Sequence, residues 1–438
     1  MAFSGRGHIP YRSRCGRSFA VVLVSIVGLA CSSAPAMAHS RLVSSDPADG
    51  AHLDRAPSTV TLNFSGTVVA GSDAIQVFAP DASRVDEGSA RPRRGERITQ
   101  SVTSGPDGTY GVAYRVSSED GHVITATVTY EVGSAESGST ASAAAASRDA
   151  ARVDRTLEVV FSGARTVELL TLLTVAGGGL FACCIAPGWR PRLLAPALLV
   201  LLVAYAVGFL ANAAILHGGA SGAWTAPSLR EAARTPFGLA LMARSTIAVV
   251  AIGPVVLLRF GRVPGRGGRL GMAVVFVALA ASLSITGHAV TTDPIWIRMP
   301  VDMVHVVAAA VWLGGLVQVA ALAGSARERI RQVVRFSRVA FVSVVVILAS
   351  GLYAAAVELD LELESLTDST YGRLVVAKLA LYVAIMPLAW NNMRTFVPSI
   401  TPHPGDATRL LRQYALRELV LLVAIVGMTV WLIATPQP

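Results

Sequence analysis

The sequence predicts a two-part chain: a small all-β sandwich or barrel, then a polytopic α-helical membrane domain of about eight transmembrane helices. Three observations point there. Of 438 residues, 53% are hydrophobic and only 15% charged, whereas a soluble domain carries about 25% charged residues. Alternating apolar and polar residues fill much of 60–132, the period of half-buried strands. Beyond residue 155, apolar stretches approaching the ~20 residues needed to cross a bilayer follow one another. The net charge is +9, and every one of the 37 basic residues except Lys378 is an arginine. They gather between the apolar stretches, as in membrane loops, so the lipid bilayer is the expected partner and nucleic acid is not.

Residues 1–38 read as a signal peptide. Arg6, Arg12, Arg14 and Arg17 form a basic region, Phe19 to Ala30 is a short apolar core, and Ala36-Met37-Ala38 is a small-x-small cleavage site. Cleavage after Ala38 makes His39 a new N-terminus, whose α-amine and imidazole can chelate one metal. Cys31 offers a competing lipidation site, which would abolish that amine ligand. The other cysteines, Cys15, Cys183 and Cys184, complete neither a zinc spacing nor a disulfide framework.

Residues 39–133 form the expected β-domain. Val60, Leu62 and Phe64 alternate, as do Tyr110, Val112, Tyr114 and Val116, and then Ile124, Ala126, Val128, Tyr130 and Val132. About 95 residues suffice for one core. Within it, Asp120 and His122 stand two apart at the start of a strand, the spacing that puts side chains on one face. With His39 they make a nitrogen-rich donor set suited to tetragonal Cu(II). Glu119-Asp120-Gly121-His122 also reads as an ordinary solvated strand connection. His52 lies outside this set, as a surface or secondary candidate.

The run HSRLVSSDPADGAHLDRAPSTVTLNFSGTV, with VSSEDGHVITATVTYEV downstream, resembles the CopC family of periplasmic copper-binding domains. The resemblance implies an immunoglobulin-like fold and a Cu(II) site at His39, Asp120 and His122. Some members carry a Met-rich Cu(I) site; residues 39–135 contain no Met, so only the Cu(II) site is implied.

Residues 134–155, Ser/Ala-rich at first (SAESGSTASAAAASRDAAR), read as a flexible tether, and 156–438 as the membrane domain. Its apolar stretches run over about 163–187, 193–216, 237–258, 271–289, 301–323, 339–357, 373–393 and 418–435. If the β-domain is exported, the first stretch runs inward. The cytoplasmic loops then hold fifteen arginines and the exported loops after the second stretch three: Arg230, Arg234 and Arg298. That is a positive-inside bias, consistent with an N-terminal domain outside; with the resemblance to periplasmic copper-binding domains, the expected place is a bacterial cytoplasmic membrane. The acidic loop 358–370 falls outside too, either as a cation collector or as a plain solvated loop.

Ionisable residues within membrane segments mark ion paths by default. His288 ends the fourth stretch in Thr286-Gly287-His288-Ala289, and Asp302 and His305 lie near the start of the fifth, sharing a helix face by their i, i+3 spacing. His305 is expected roughly 6 Å below the helix start. His217 ends the second stretch on the same side, and Met299 and Met303 supply soft donors for Cu(I). The TGHA run, DxxHxxAAxVWLGGL, and the C-terminal segments from FSRVAFVSVVVILASGLYAA onward resemble the CopD family of membrane proteins, so the chain resembles a CopC–CopD fusion. The resemblance implies copper uptake or tolerance, with His288 and His305, and more weakly Asp302 and His217, on the membrane copper path.

Other features leave alternatives open. Glu168 and Arg244 could pair, or Glu168 could face a pore. Lys378 and Arg373 could snorkel. Asn391, Asn392 and Arg394 lie at the inner end of the seventh stretch, where an exit is conceivable. Gly177-Gly178-Gly179 and Gly314-Gly315 read as packing positions. No role follows for His403. No P-loop or phosphorylation motif is present, so any transport is passive or driven by another gradient; no enzyme is expected. The expectation is a copper-binding membrane protein that captures Cu(II) outside and moves copper inward, as Cu(I) or Cu(II) in the membrane, with other copper-handling proteins as further partners. The alternatives are a periplasmic copper buffer or delivery protein without transport, and a haem-binding redox protein using paired histidines.

Overall fold

The computed structural model describes residues 41–118, 123–133, 140–150, 155–187, 189–217, 219, 224–262, 264–285, 295–321, 326–358, 370–391 and 404–433. The expected leader, Cys31 and His39 lie outside the described residues, as do Asp120, His122, His288, Asn392, Arg394, His403 and most of the acidic loop.

The β-domain is built from β1 (Leu42–Asp46), β2 (Ala51–Leu53), β3 (Thr59–Phe78), β4 (Asp86–Arg91), β5 (Arg94–Val102), β6 (Gly108–Ser118) and β7 (Val123–Val132). They form one sheet in the order β2-β7-β6-β3-β5-β4, with β1 also pairing β3. Only the β2–β7 pairing is parallel. The register of β3 shifts between Asn63 and Val68 and again between Ala70 and Ile75. Interruptions of this kind bend a strand. The first part of β3 pairs β1 and β5, the second pairs β6, so one strand serves both halves of the sheet.

The alternating residues close a single core of Val60, Leu62, Phe64, Tyr110, Val112, Tyr114, Val116, Ile124, Val128, Tyr130 and Val132 with their neighbours. Ala126 departs from the alternation and is exposed. Tyr110 and Tyr130 stack with ring centroids 5.1 Å apart, and Tyr110 Oη donates to Pro106 O at 2.9 Å.

The stretch expected to be a flexible tether is in part a helix. Thr140–Ala150 forms α1, which packs on β6, β7 and β3. Alanine is the strongest helix former, and a run of small side chains lets the helix backbone approach the sheet. Ala146 is fully buried, and Ser142 Oγ donates to Thr109 O at 2.6 Å.

The membrane domain follows. Helix α2 (Arg155–Leu180) continues through a π turn at Phe181–Ile185. Next come α3 (Leu194–Leu216), a short α4 (Ala226–Arg234) and α5 (Pro236–Arg259). Helix α6 (Arg266–Ala281) ends in a 3-10 turn at Ser282–Ile285. The chain closes with α7 (Ile295–Ala320), α8 (Ala326–Glu358), α9 (Thr370–Asn391) and α10 (Pro404–Ile433). Among the described residues, six helical segments are long and apolar enough to cross a membrane: Val159–Ile185, Leu194–Leu216, Pro236–Arg259, Arg266–Ile285, Ile295–Ala320 and Arg331–Val357. The last two expected spans fall on α9 and α10, which are not among the six. Helix α9 carries Arg373 and Lys378, and the first half of α10 carries Arg409, Arg412, Arg417 and Glu418.

Helix α4 was not anticipated. Two threonine caps set it and its successor. Thr225 Oγ1 accepts from Ser228 N at 3.3 Å with Pro227 in the first turn, and Thr235 Oγ1 accepts from Gly238 N at 3.0 Å with Pro236 opening α5. Threonine at the cap with proline just inside the helix is a strong start signal.

The glycine runs are packing positions. A side chain at Gly177 would meet the Ala310 carbonyl, and one at Gly314 would come 2.7 Å from Gly177 Cα. Backbone thus lies against backbone where α2 crosses α7, the close approach that small residues permit between membrane helices.

Candidate metal path

The ligands expected in the β-domain lie outside the described residues, but their flanks converge. Arg41 N donates to Ser65 Oγ at 3.0 Å, and Ser65 N donates to Arg41 O at 2.9 Å. Three residues further along β3, Val68 pairs with Ser118. The chain resumes at Val123, paired with Ser117. The segment leading back to His39 and residues 119–122 therefore connect to positions that lie beside neighbouring residues of β3, Ser65 and Val68. This end of the sheet abuts the helices. Val123 packs against the membrane-domain core, and Gly71 lies against the carbonyl of Leu216, the last residue of α3. His52 is elsewhere, on the β2–β7 edge, with its Nδ1 2.8 Å from Glu131 Oε2.

His217, just past the end of α3, sits at this seam. Its Nδ1 donates to Ala213 O at 2.9 Å, and its Nε2 is 3.5 Å from Glu231 Oε2 on α4. The other carboxylate oxygen of Glu231 accepts from Arg93 Nη1 of the β-domain at 2.9 Å. Both ring nitrogens of His217 are thus engaged. The Glu231 hydrogen bond pushes the His217 pKa up, and the same bond, with Arg93 beside it, holds Glu231 below the usual carboxylate value.

His305 is arranged differently. Its Nδ1 lies 2.9 Å from Ser350 Oγ on α8. Ser350 Oγ donates to Val346 O at 2.6 Å. A hydroxyl has one proton, so with that proton committed, Ser350 accepts from His305 Nδ1–H. Nε2 is then the unprotonated nitrogen, the atom an oriented imidazole offers to a metal. Asp302, one turn earlier, faces Ser284 of the 3-10 turn, and Lys378 of α9 lies within electrostatic reach of both Asp302 and His305. The distance of His305 from the helix start differs from the expectation. Helix α7 starts at Ile295, so His305 is about 15 Å along its axis rather than roughly 6 Å. Pro300 is absorbed inside the helix, and Ile295 to Met299 extend it on the N-terminal side.

Glu168 and Arg244 pair rather than leaving a carboxylate open to a pore. Arg244 Nη1 donates to Glu168 Oε1 and Arg165 Nη1 to Glu168 Oε2, each at 2.9 Å. Arg244 also donates to the carbonyls of Ser282 and Leu283, at 3.2 and 3.3 Å. These carbonyls belong to the 3-10 turn just before Thr286-Gly287-His288. Arg165 in turn lies 5.2 Å from the centroid of the Phe237 ring.

Sequence reasoning missed Glu231, Arg93 and Ser350. Glu231 stands between Arg230 and Arg234 in the segment that folds as α4, and a lone acid there is the one signal it gave. Ser350 in an apolar helix gave none. Among the described residues, no three His, Cys, Asp or Glu side chains converge as a metal site.

The CopC domain family matches residues 42–133. The copper resistance protein D-like N-terminal domain matches 156–299, and copper resistance protein D matches 330–432. Copper transport protein CutJ of Bacillus subtilis (strain 168) is 24% identical over 376 residues, covering 80% of this chain and 67% of CutJ. Among solved structures, CopC from Methylosinus trichosporium OB3b is 26% identical and covers 23% of this chain and 99% of that one, with a TM-score of 0.21. PcoC, a copper resistance protein from Escherichia coli, is 24% identical and covers 21% of this chain and 98% of its own, with a TM-score of 0.17.

Proposed function

Because the chain joins a CopC domain to the two parts of copper resistance protein D, a membrane protein of copper handling, we propose that it captures Cu(II) outside the cytoplasmic membrane and passes copper inward, without enzymatic chemistry. His39, Asp120 and His122 would hold the Cu(II) cargo. Two imidazoles, a carboxylate and an N-terminal amine are borderline donors that suit tetragonal Cu(II). His288, His305 and Asp302 would receive it in the membrane domain. His217, with both nitrogens engaged by Ala213 and Glu231, is assigned to the seam between the domains instead.

One observation carries this reading. The end of the sheet from which the segment to His39 and residues 119–122 depart lies against the membrane domain, through Val123 and through Gly71 on Leu216. A metal released there would be released beside the membrane helices. The His305–Ser350–Val346 chain, which orients the imidazole, supports a ligand inside the helices.

Electron paramagnetic resonance on the full chain with one equivalent of Cu(II) tests the capture step. An axial signal with nitrogen hyperfine splitting is expected, lost in His122→Ala and altered in Asp120→Ala. An unchanged signal in both variants would refute the assignment.

A further inference from the structure

The β-domain and the membrane domain touch through residues that no copper ligand set uses. Gly71 is the clearest. A Cβ placed there would lie 2.7 Å from the Leu216 carbonyl oxygen, and among the described residues the only other atom within 4 Å is the Leu216 carbonyl carbon. Apart from its own chain neighbours, no described residue of the β-domain crowds this point of β3.

The second contact is the chain Arg93–Glu231–His217, with Glu231 holding one residue from each domain at 2.9 and 3.5 Å. Glu231 is positioned by α4, whose threonine cap fixes its start, and His217 by its bond to the Ala213 carbonyl. Arg93 stands just before β5, where its own carbonyl accepts from Ala70 N at 2.8 Å. Gly71 and Arg93 are therefore bound to each other through Ala70, and they meet α3 and α4 together. The connection is also short. Helix α1 is packed on the sheet, so the five peptide steps from Ala150 to Arg155 reach at most roughly 18 Å. A domain held that closely meets its seat at high effective concentration.

We infer that the exported domain works docked: Gly71 against Leu216, and the Arg93–Glu231–His217 chain, form a seat on the ends of α3 and α4 that holds the β-domain in one position on its own membrane domain. The seat is intramolecular, and its partner is the outer surface of α3 and α4. Copper transfer then takes place across a fixed gap, not by a domain sweeping on a tether. That consequence rests on the copper reading above; the docking itself does not.

The test is pulsed electron–electron double resonance on the full chain in lipid nanodiscs, with the native cysteines replaced by alanine. Nitroxides at Glu96→Cys in the β-domain and Arg192→Cys at the far end of the bundle report the interdomain distance. A single narrow distribution is expected. Gly71→Val and Arg93→Glu should each broaden it, by steric and electrostatic routes respectively, and Glu231→Arg added to Arg93→Glu should narrow it again. A second pair, Asp54→Cys with Glu96→Cys, reads the β-domain alone and should stay narrow throughout. Should a single variant broaden that inner pair, the charge reversal decides, because restoration by the double variant can arise only at the seam. A broad interdomain distribution in the unsubstituted chain would overturn the inference. So would a narrow one that neither Gly71→Val nor Arg93→Glu disturbs, or a double reversal that restores nothing. A narrow distribution in a chain that moves no copper would sink the transport reading and leave the docking intact.

Discussion

Two glutamates in this chain are held by arginine, and their surroundings set them apart. Glu168 is 2% exposed and Arg244 1%, inside a bundle of membrane helices. Glu231 lies at the seam, its partner Arg93 half in solvent. In a low-dielectric interior an unpaired charge is very costly, whereas near water it is readily solvated. The first pair must therefore remain closed for the helices to stay assembled. The second, solvated on its Arg93 side, contributes less per contact, so it holds the seat together with the Gly71–Leu216 approach and not alone.

The largest effect expected on breaking this comparison is at Glu168. Glu168→Ala leaves Arg244 buried without its carboxylate, and stability should fall by about 3–5 kcal/mol, read as a lowered melting temperature in detergent. The segment after Leu283 should loosen with it, because the same guanidinium holds the Ser282 and Leu283 carbonyls. A loss no greater than at Glu231 would erase the distinction. Next comes packing. Gly314→Val adds a side chain where α7 touches Gly177 and Gly178 of α2, and overpacking of this kind costs about 1–3 kcal/mol in the same melt.

Ser350→Ala removes the acceptor that orients His305. Stability should hardly change, while copper affinity at the membrane site falls roughly 10–100-fold, the usual effect of losing a group that orients a ligand. Ser350→Thr should restore it. Competition with a chelator of known affinity measures both. If His305 has only a packing role, neither variant will move copper binding.

The smallest effect is at the seam. Glu231→Gln should cost no more than about 1 kcal/mol, the range of a partly solvated ion pair. Its signature is in pH. His217 is shifted up from 6.5 by its bond to Glu231. Its contribution is complete below that ordinary value and is lost as pH rises through the raised one. Glu231 is shifted down from 4.5. Its contribution is present above 4.5 and is lost as pH falls through the lowered value. The seam should be tightest between the two and should loosen on the alkaline side as pH rises through the raised His217 value. His217→Ala should remove that alkaline loosening; an unchanged profile in interdomain distance would rule out the pair.

What the sequence made legible follows from the range of the interactions involved. Strand alternation and long apolar runs are local patterns, so the β-core from Val60 to Val132 and the first six spans could be read from neighbours in the chain. The glycine runs were legible as packing positions for the same reason. The pairing of Glu168 with Arg244 was open, since 76 residues separate them and only helix packing decides between a partner and a pore. Ser350 beside His305 and Arg93 beside Glu231 join elements far apart in sequence, and nothing near either residue announces the other. The helix Thr140–Ala150 shows the opposite case. Its alanines were read as low complexity, whereas their helix propensity and a sheet to pack on make a helix.

The proposal to test is that copper captured outside passes inward through the part of the membrane domain that holds His288 and His305. The most direct measurement is cytosolic copper in a copper-limited host expressing the unaltered chain or the His288→Ala/His305→Ala double variant, matched for amount in the membrane. Higher cytosolic copper with the unaltered chain, lost in the double variant while the Cu(II) resonance signal of the β-domain remains, is the expected result. Equal cytosolic copper in both, with copper found only on the exported domain, would contradict the claim and leave a periplasmic buffer.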